Sequence, residues 1–347
     1  MIPADGGNGR LCKRLFCSLA ILCLMVQGCA REQDVERLSG HTMGTTWHVS
    51  YIPGHDPKSP VDLQRKIEQA LDRVNRSMST YRDDSEISRL NAAAQHQWIA
   101  VSPAFARVLE AALAIGDATG GAYDVTVGPL VSRWGFGPAI GAQDVPPGAE
   151  IDLLLERVGQ RKLRLDRDAL KVLKTADLSL DFSSIAKGYG VDRVAGELSG
   201  QSIHNYLIEI GGEVRVSGVS GRGDPWRIAI EQPDSDSRDP ALAISLTDRA
   251  VATSGDYRNF FEAGGVRYSH SIDPRTGYPV KHDLVSVTVV HERAMEADAW
   301  ATALIVLGTE RAMALASAKG LAAYFIRRKN GEYVSASSPA FAAYLKP

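Results

Sequence analysis

The segment Glu296-Ala297-Asp298-Ala299-Trp300-Ala301-Thr302 sets an acid and a hydroxyl four residues apart in a run of strong helix formers. On a helix that spacing puts Asp298 and Thr302 on one face. Ala301 and Ile305 make the neighbouring positions apolar. A carboxylate there is costly unless it is paired, hydrogen-bonded or metal-bound. Carboxylate and hydroxyl are hard oxygen donors of the kind that Mg2+ takes. The competing reading is an acid near the first turn of a helix, stabilised by the helix dipole.

Three other clusters carry chemistry-bearing side chains. In Asp181-Phe182-Ser183-Ser184-Ile185-Ala186-Lys187-Gly188, either serine can cap a following helix, and a helix N-terminus with Lys187 beside it suits a phosphate. Asp181 can accept hydrogen bonds from a ligand ring or ribose. The plainer reading is a capped helix with an exposed lysine, and neither a GxGxxG nor a Walker A pattern is present. The stretch Gly120-Gly121-Ala122-Tyr123-Asp124 brings a turn, an aromatic ring and an acid together, which suits a planar ligand and is also an ordinary helix-to-strand connection. His270 follows Tyr268-Ser269 at the end of a strand, as a base, a phosphate donor or a strand histidine. No G-x-S-x-G elbow supports a serine-hydrolase triad.

These clusters need elements to hold them. A strand is expected at 45–52 and a helix at 61–73, where apolar residues recur at helical spacing. Ser102-Pro103 starts a second helix, which Gly120-Gly121 ends. Residues 135–148 are rich in Gly and Pro and read as a loop. Short strands follow at 163–165, 206–210, 214–219, 226–231, 243–246 and 285–290. Helices are expected at 185–198, 295–307 and 310–318. The pattern predicts an α+β catalytic unit of two lobes, with a mixed or largely antiparallel sheet and flanking helices.

Composition narrows the function. At 347 residues, 44% hydrophobic and 23% charged, the chain has ample material for a core. A net charge of −2 leaves no basic excess for a polyanion, which argues against nucleic acid as partner. The four cysteines are Cys12, Cys17, Cys23 and Cys29, so the main body has no disulfide framework, CxxC site or zinc-thiolate site. Arg10, Lys13 and Arg14 precede an apolar run over 15–26, too short to span a bilayer but of the length of a secretory h-region. It ends in Val26-Gln27-Gly28-Cys29-Ala30, which resembles a bacterial lipoprotein cleavage box, with Gln27 where a small residue is usual. The expected organisation is a signal peptide over 1–28, a tether over 29–39 beginning with a lipid-modified Cys29, and a catalytic domain over 40–347. Cleavage leaves 36 basic and 40 acidic side chains, a net charge of −4. The expected place is the bacterial cell envelope, facing the periplasm or the exterior, and Ala30 at the second mature position leans toward an outer membrane.

Taken in order, these segments resemble the ApbE family, the FAD:protein FMN transferases. The resemblance begins at His41-Thr42-Met43-Gly44-Thr45 and Met78-Ser79-Thr80-Tyr81. It continues through 121–129, 181–190 and Ile210-Gly211-Gly212-Glu213, and ends with 252–257, 269–279 and 296–302. It implies that Met43 and Tyr81 flank the flavin nucleotide, and that Ala122, Tyr123 and Asp124 contact FAD. Tyr123 stands where many relatives carry Phe, which keeps an aromatic face. Asp181 and Lys187 would bind FAD, Lys187 at its phosphates, with Ile272 adding a contact beside His270. Asp298 and Thr302 would hold Mg2+ by their side chains and Ser184 through its carbonyl. The implied reaction is attack by a Ser or Thr hydroxyl of an acceptor protein on the FMN phosphorus, with AMP leaving. His270 or a carboxylate near the metal would take the proton. Acceptor flavoprotein subunits of membrane redox complexes are the implied partners, and the family's acceptor motif is not found in this chain. Two alternatives use the same site: a Mg2+-dependent FAD pyrophosphatase, and a non-catalytic FAD-binding lipoprotein.

Overall fold

The computed structural model describes residues 1–2, 33–54, 59–138, 144–233, 240–256 and 259–345. Cys29 and nearly all of the expected signal segment lie outside the described residues. The centre of the fold is an eight-stranded sheet. Its order in space is Glu36–Thr42, Thr45–Tyr51, Tyr206–Ile210, Glu213–Ser217, Arg249–Gly255, Leu284–His291, Ala322–Lys329 and Glu332–Ser337. Each of these pairings is antiparallel. The α+β expectation is met, and the sheet resolves as antiparallel rather than mixed.

Eight helices among the described residues surround it: α1 (Pro60–Met78), α2 (Glu86–Ala92), α3 (Pro103–Ala118), α4 (Gly128–Arg133), α5 (Gly148–Leu155), α6 (Ala186–Ser199), α7 (Ala294–Leu307) and α8 (Thr309–Lys319). On one face of the sheet, Trp47, Val49 and Ile208 meet Leu63, Ile67 and Leu71 of α1 and Val191 and Val194 of α6. The period-2 alternation of the strands and the helical stripe of α1 produce this contact. Helix α7 is apolar on nearly all sides and buried, as a helix enclosed by sheet and helices must be. On the other face, Val216, Val251 and Tyr324 are covered by the hairpin Trp226–Glu231/Pro240–Leu246 and by Phe341. Because both faces are covered, Leu284–His291 is buried almost throughout.

A smaller cluster unites α4, α5 and the hairpin Phe260–Ala263/Val266–Ser269. Trp134 stacks on Tyr268 at 5.5 Å and its Nε1 donates to Gly277 O at 2.8 Å. This cluster carries His270 directly after the hairpin.

Several boundaries differ from expectation. Residues 36–39, read as tether, belong to the strand Glu36–Thr42, whose backbone pairs with Thr45–Tyr51 despite its polar side chains. Ser102 caps α3 as expected, accepting from Phe105 N at 3.1 Å. Neither Ser183 nor Ser184 caps α6: its N-cap position is Ile185, with no side-chain cap bond. The cap comes from elsewhere in the chain.

Candidate active site

Helices α6 and α7 meet at their N-terminal halves. Gly188 permits this approach, since a Cβ there would lie 2.9 Å from Asp298 Cβ and would also strike Ala294 O. Asp298 Oδ2 accepts from Gly188 N at 3.0 Å, so the missing cap of α6 is a carboxylate of α7. In return Asp192 of α6 caps α7, accepting from Ala294 N at 3.1 Å and Met295 N at 3.0 Å. Asp298 therefore does not serve its own helix dipole, and the N–H nearest Lys187 is already occupied by a carboxylate.

Lys187 projects from the first turn of α6 toward two acids. Its Nζ lies 2.6 Å from Glu213 Oε1 and 4.0 Å from Asp298 Oδ1. Both carboxylates are buried. Burial pushes the Asp298 and Glu213 carboxyls up, against the pull of Lys187. Burial also disfavours the ammonium, but Asp298 and Glu213 outweigh it and hold Lys187 above the ordinary lysine range. Among the described residues Glu213 Oε2 has no hydrogen-bond partner.

Tyr123 closes another side. Its OH accepts from Ser184 Oγ at 3.0 Å. Burial raises the phenol, and Asp298, Asp181 and Asp124 all act on it in the same direction. Tyr123 thus links Ser184, by its hydrogen bond, to the charges of Asp181 and Asp298, and Asp298 in turn feels Lys187. Thr302 lies one turn beyond Asp298, its Oγ1 3.1 Å from Ser254 Oγ. Asp181 Oδ1 accepts from Ser183 N at 2.7 Å. Asp124 ties its own loop to a distant turn: Oδ1 accepts from Thr126 N and Oγ1, and Oδ2 from Gln160 N at 2.7 Å.

His270 Nδ1 is 3.0 Å from Asn259 O, and the His270 N–H donates to the same carbonyl at 3.1 Å. A carbonyl only accepts, so Nδ1 carries the hydrogen and Nε2 keeps the lone pair. Burial pushes the imidazole below the usual histidine range; the Asn259 bond opposes this and the charge of Lys187 adds to it. Met43 occupies the two-residue turn between the first two strands at φ +49°, with Gly44 at +72°. A left-handed methionine costs about 1–2 kcal/mol, and such strain gathers at functional sites. Its Cε packs on Gly190 of α6, where a Cβ would approach within 2.9 Å. Ala122 and Ile272 are buried, Ile272 in the cluster around Trp134. Tyr81 lies past the end of α1 and is 68% exposed. Glu213 and Ser254 fall within segments that carry the family resemblance, but nothing in the local pattern marks Asp192 or Asn259. Their partners lie far along the chain, and spacing gives no sign of them.

The donor set fits a small hard cation. Among the described residues Asp298 Oδ1 meets only Lys187, at 4.0 Å, while Thr302 offers a hydroxyl and Ser184 a backbone carbonyl. Among the described residues no group of three or more His, Cys, Asp and Glu gathers as a metal cage. One carboxylate with a few neutral oxygens is the sparse protein contribution usual for Mg2+, which keeps waters and takes substrate phosphates. The absence of thiolates and imidazoles makes it unsuited to zinc.

A family model described as the ApbE family matches residues 43–325. A Vibrio cholerae protein named FAD:protein FMN transferase is 44% identical over 322 residues, 93% of this chain and 96% of its own. One of the same name from Haemophilus influenzae is 42% identical, covering 92% and 94%. The solved flavin transferase ApbE from Vibrio cholerae superposes with a TM-score of 0.84 at 42% identity, over 90% of this chain and all of that one. The ApbE protein of Thermotoga maritima superposes with a TM-score of 0.81 at 29% identity.

Proposed function

The chain belongs to the ApbE family, and from that membership we propose that it transfers the FMN half of FAD to a Ser or Thr hydroxyl of an acceptor protein. The observation that carries the reading is the buried crossing of α6 and α7. There Asp298 keeps one oxygen open beside the ammonium of Lys187. Lys187 holds the pyrophosphate of FAD by charge, and its 29% side-chain exposure leaves it reachable. Met43 and Tyr81 bracket the flavin nucleotide, and Ala122, Tyr123, Asp124, Asp181 and Ile272 complete the FAD site. His270 Nε2 takes the acceptor's hydroxyl proton as its oxygen bonds to the FMN phosphorus. The bond from that phosphorus to the AMP oxygen breaks, and AMP leaves with the electron pair. Asp298 and Thr302 by side chain and Ser184 by carbonyl would hold Mg2+. When bound, that ion offsets the charge developing on the pyrophosphate oxygens.

Cys29 is read as lipid-modified after removal of residues 1–28. That anchor sets the enzyme at the cell envelope, where acceptor flavoprotein subunits of membrane redox complexes are exposed. The test is incubation with FAD, Mg2+ and an acceptor domain. Asp298→Ala is expected to abolish covalent flavin while still binding FAD, and EDTA to do the same to the wild type. Wild-type turnover in either case refutes the metal role. Free FMN released at a rate that acceptor does not suppress would instead favour FAD hydrolysis.

A further inference from the structure

Lys187 lies between two buried acids that do not share it equally. Glu213 Oε1 is at 2.6 Å, a charge-assisted hydrogen bond, whereas Asp298 Oδ1 is at 4.0 Å, beyond hydrogen-bond range. Glu213 is fixed in place at the start of the strand Glu213–Ser217 and is 3% exposed. The turn before it is fixed as well, with Gly212 N donating to Glu209 Oε1 at 2.6 Å. Yet Glu213 Oε2 is buried with no partner among the described residues. A carboxylate held so, with one oxygen unpaired, is a poor source of stability. What the arrangement does achieve is to keep the ammonium off Asp298.

We infer that Glu213 is a positioning residue that draws Lys187 away from Asp298 and so leaves Asp298 Oδ1 free to take a divalent cation. The inference rests on the reading of Asp298 as a Mg2+ ligand. An ammonium and a divalent cation compete for the same carboxylate lone pairs. Without the Glu213 charge, the strongest remaining partner of Lys187 is Asp298. The lysine stem reaches it by rotamer changes alone, since the two groups already stand 4.0 Å apart. Glu213 thus governs cation access without touching the cation.

The test is a Mg2+ titration by calorimetry on the protein free of FAD. It covers the wild type, Glu213→Gln, Lys187→Met, the double variant and Asp298→Ala. Glu213→Gln is expected to weaken Mg2+ binding about tenfold, the scale of one charged hydrogen bond. The same change in the Lys187→Met background is expected to have no effect, because the competitor is gone. Equal losses in both backgrounds would mean that Glu213 acts only through its own charge, and would overturn the inference. So would wild-type affinity in Glu213→Gln when Asp298→Ala has lost Mg2+. Wild-type affinity in Asp298→Ala would instead remove the underlying metal reading. Should Glu213→Gln fail to fold by circular dichroism, Glu213→Asp keeps the charge but withdraws it from Lys187. It is expected to bind Mg2+ between wild type and the Asp298→Ala limit, and wild-type affinity there overturns the inference.

Discussion

His270 shows how one hydrogen bond assigns a role to a ring. The carbonyl of Asn259 holds Nδ1–H and leaves Nε2 as the basic nitrogen. Burial keeps the imidazole neutral further into acid than usual. The proposed base must be neutral to act, so activity is expected to be lost as pH falls through the lowered value. The acid limb of kcat/KM for acceptor modification is therefore expected below about 6.5, the ordinary histidine value. His270→Gln should lower kcat by about 100-fold or more and abolish that limb. A limb that persists in the variant assigns the proton to another group. Lys187→Ala is expected to weaken FAD binding in a fluorescence titration, and unchanged affinity removes it from the site. His270, Lys187 and Asp298 were legible as types in local patterns. Glu213 was not, because its meaning depends on Lys187, which sits on another element and meets it only through the fold.

The crossing of α6 and α7 is the element that makes the site. Each helix supplies the acid that caps the other, Asp192 for α7 and Asp298 for α6. Asp192→Ala leaves two N–H groups uncapped and Arg215 without its acid. It is expected to cost about 1–2 kcal/mol and lower Tm by a few degrees in a thermal melt. An unchanged Tm would show that the reciprocal cap is not a source of stability. Periodicity predicted both helices to within a residue or two at each end, because each runs through a long apolar pattern. It could not predict their capping, because the expected caps, Ser183 and Ser184, were local and the real one is 110 residues away. The strand Glu36–Thr42 was missed for a related reason. Its sequence ERLSGHT has little apolar alternation, and what places it is backbone pairing at the edge of the sheet.

At the scale of the whole molecule, an antiparallel sheet covered on both faces carries the crossing, while a smaller aromatic cluster presents His270 beside it. The α+β class was legible from the alternation of short strands and helices. The hairpin that precedes His270 was only partly so, as its two strands are four residues each. The proposed cleavage would leave a chain at −4 with little electrostatic attraction to anionic lipid, so on this proposal the lipid on Cys29 would have to provide the membrane attachment. Cys29→Ser is expected to vanish from the lipid-labelled fraction; equal labelling would mean the box is misread. The proposed reaction requires that the FMN moiety move from FAD to a protein hydroxyl. Its most direct measurement is intact mass spectrometry of an acceptor domain after incubation with the enzyme, FAD and Mg2+, with AMP measured in the same sample. The expected result is an acceptor carrying one FMN phosphoester for each AMP released. An unmodified acceptor, with FAD intact or with free FMN in place of the adduct, would contradict it.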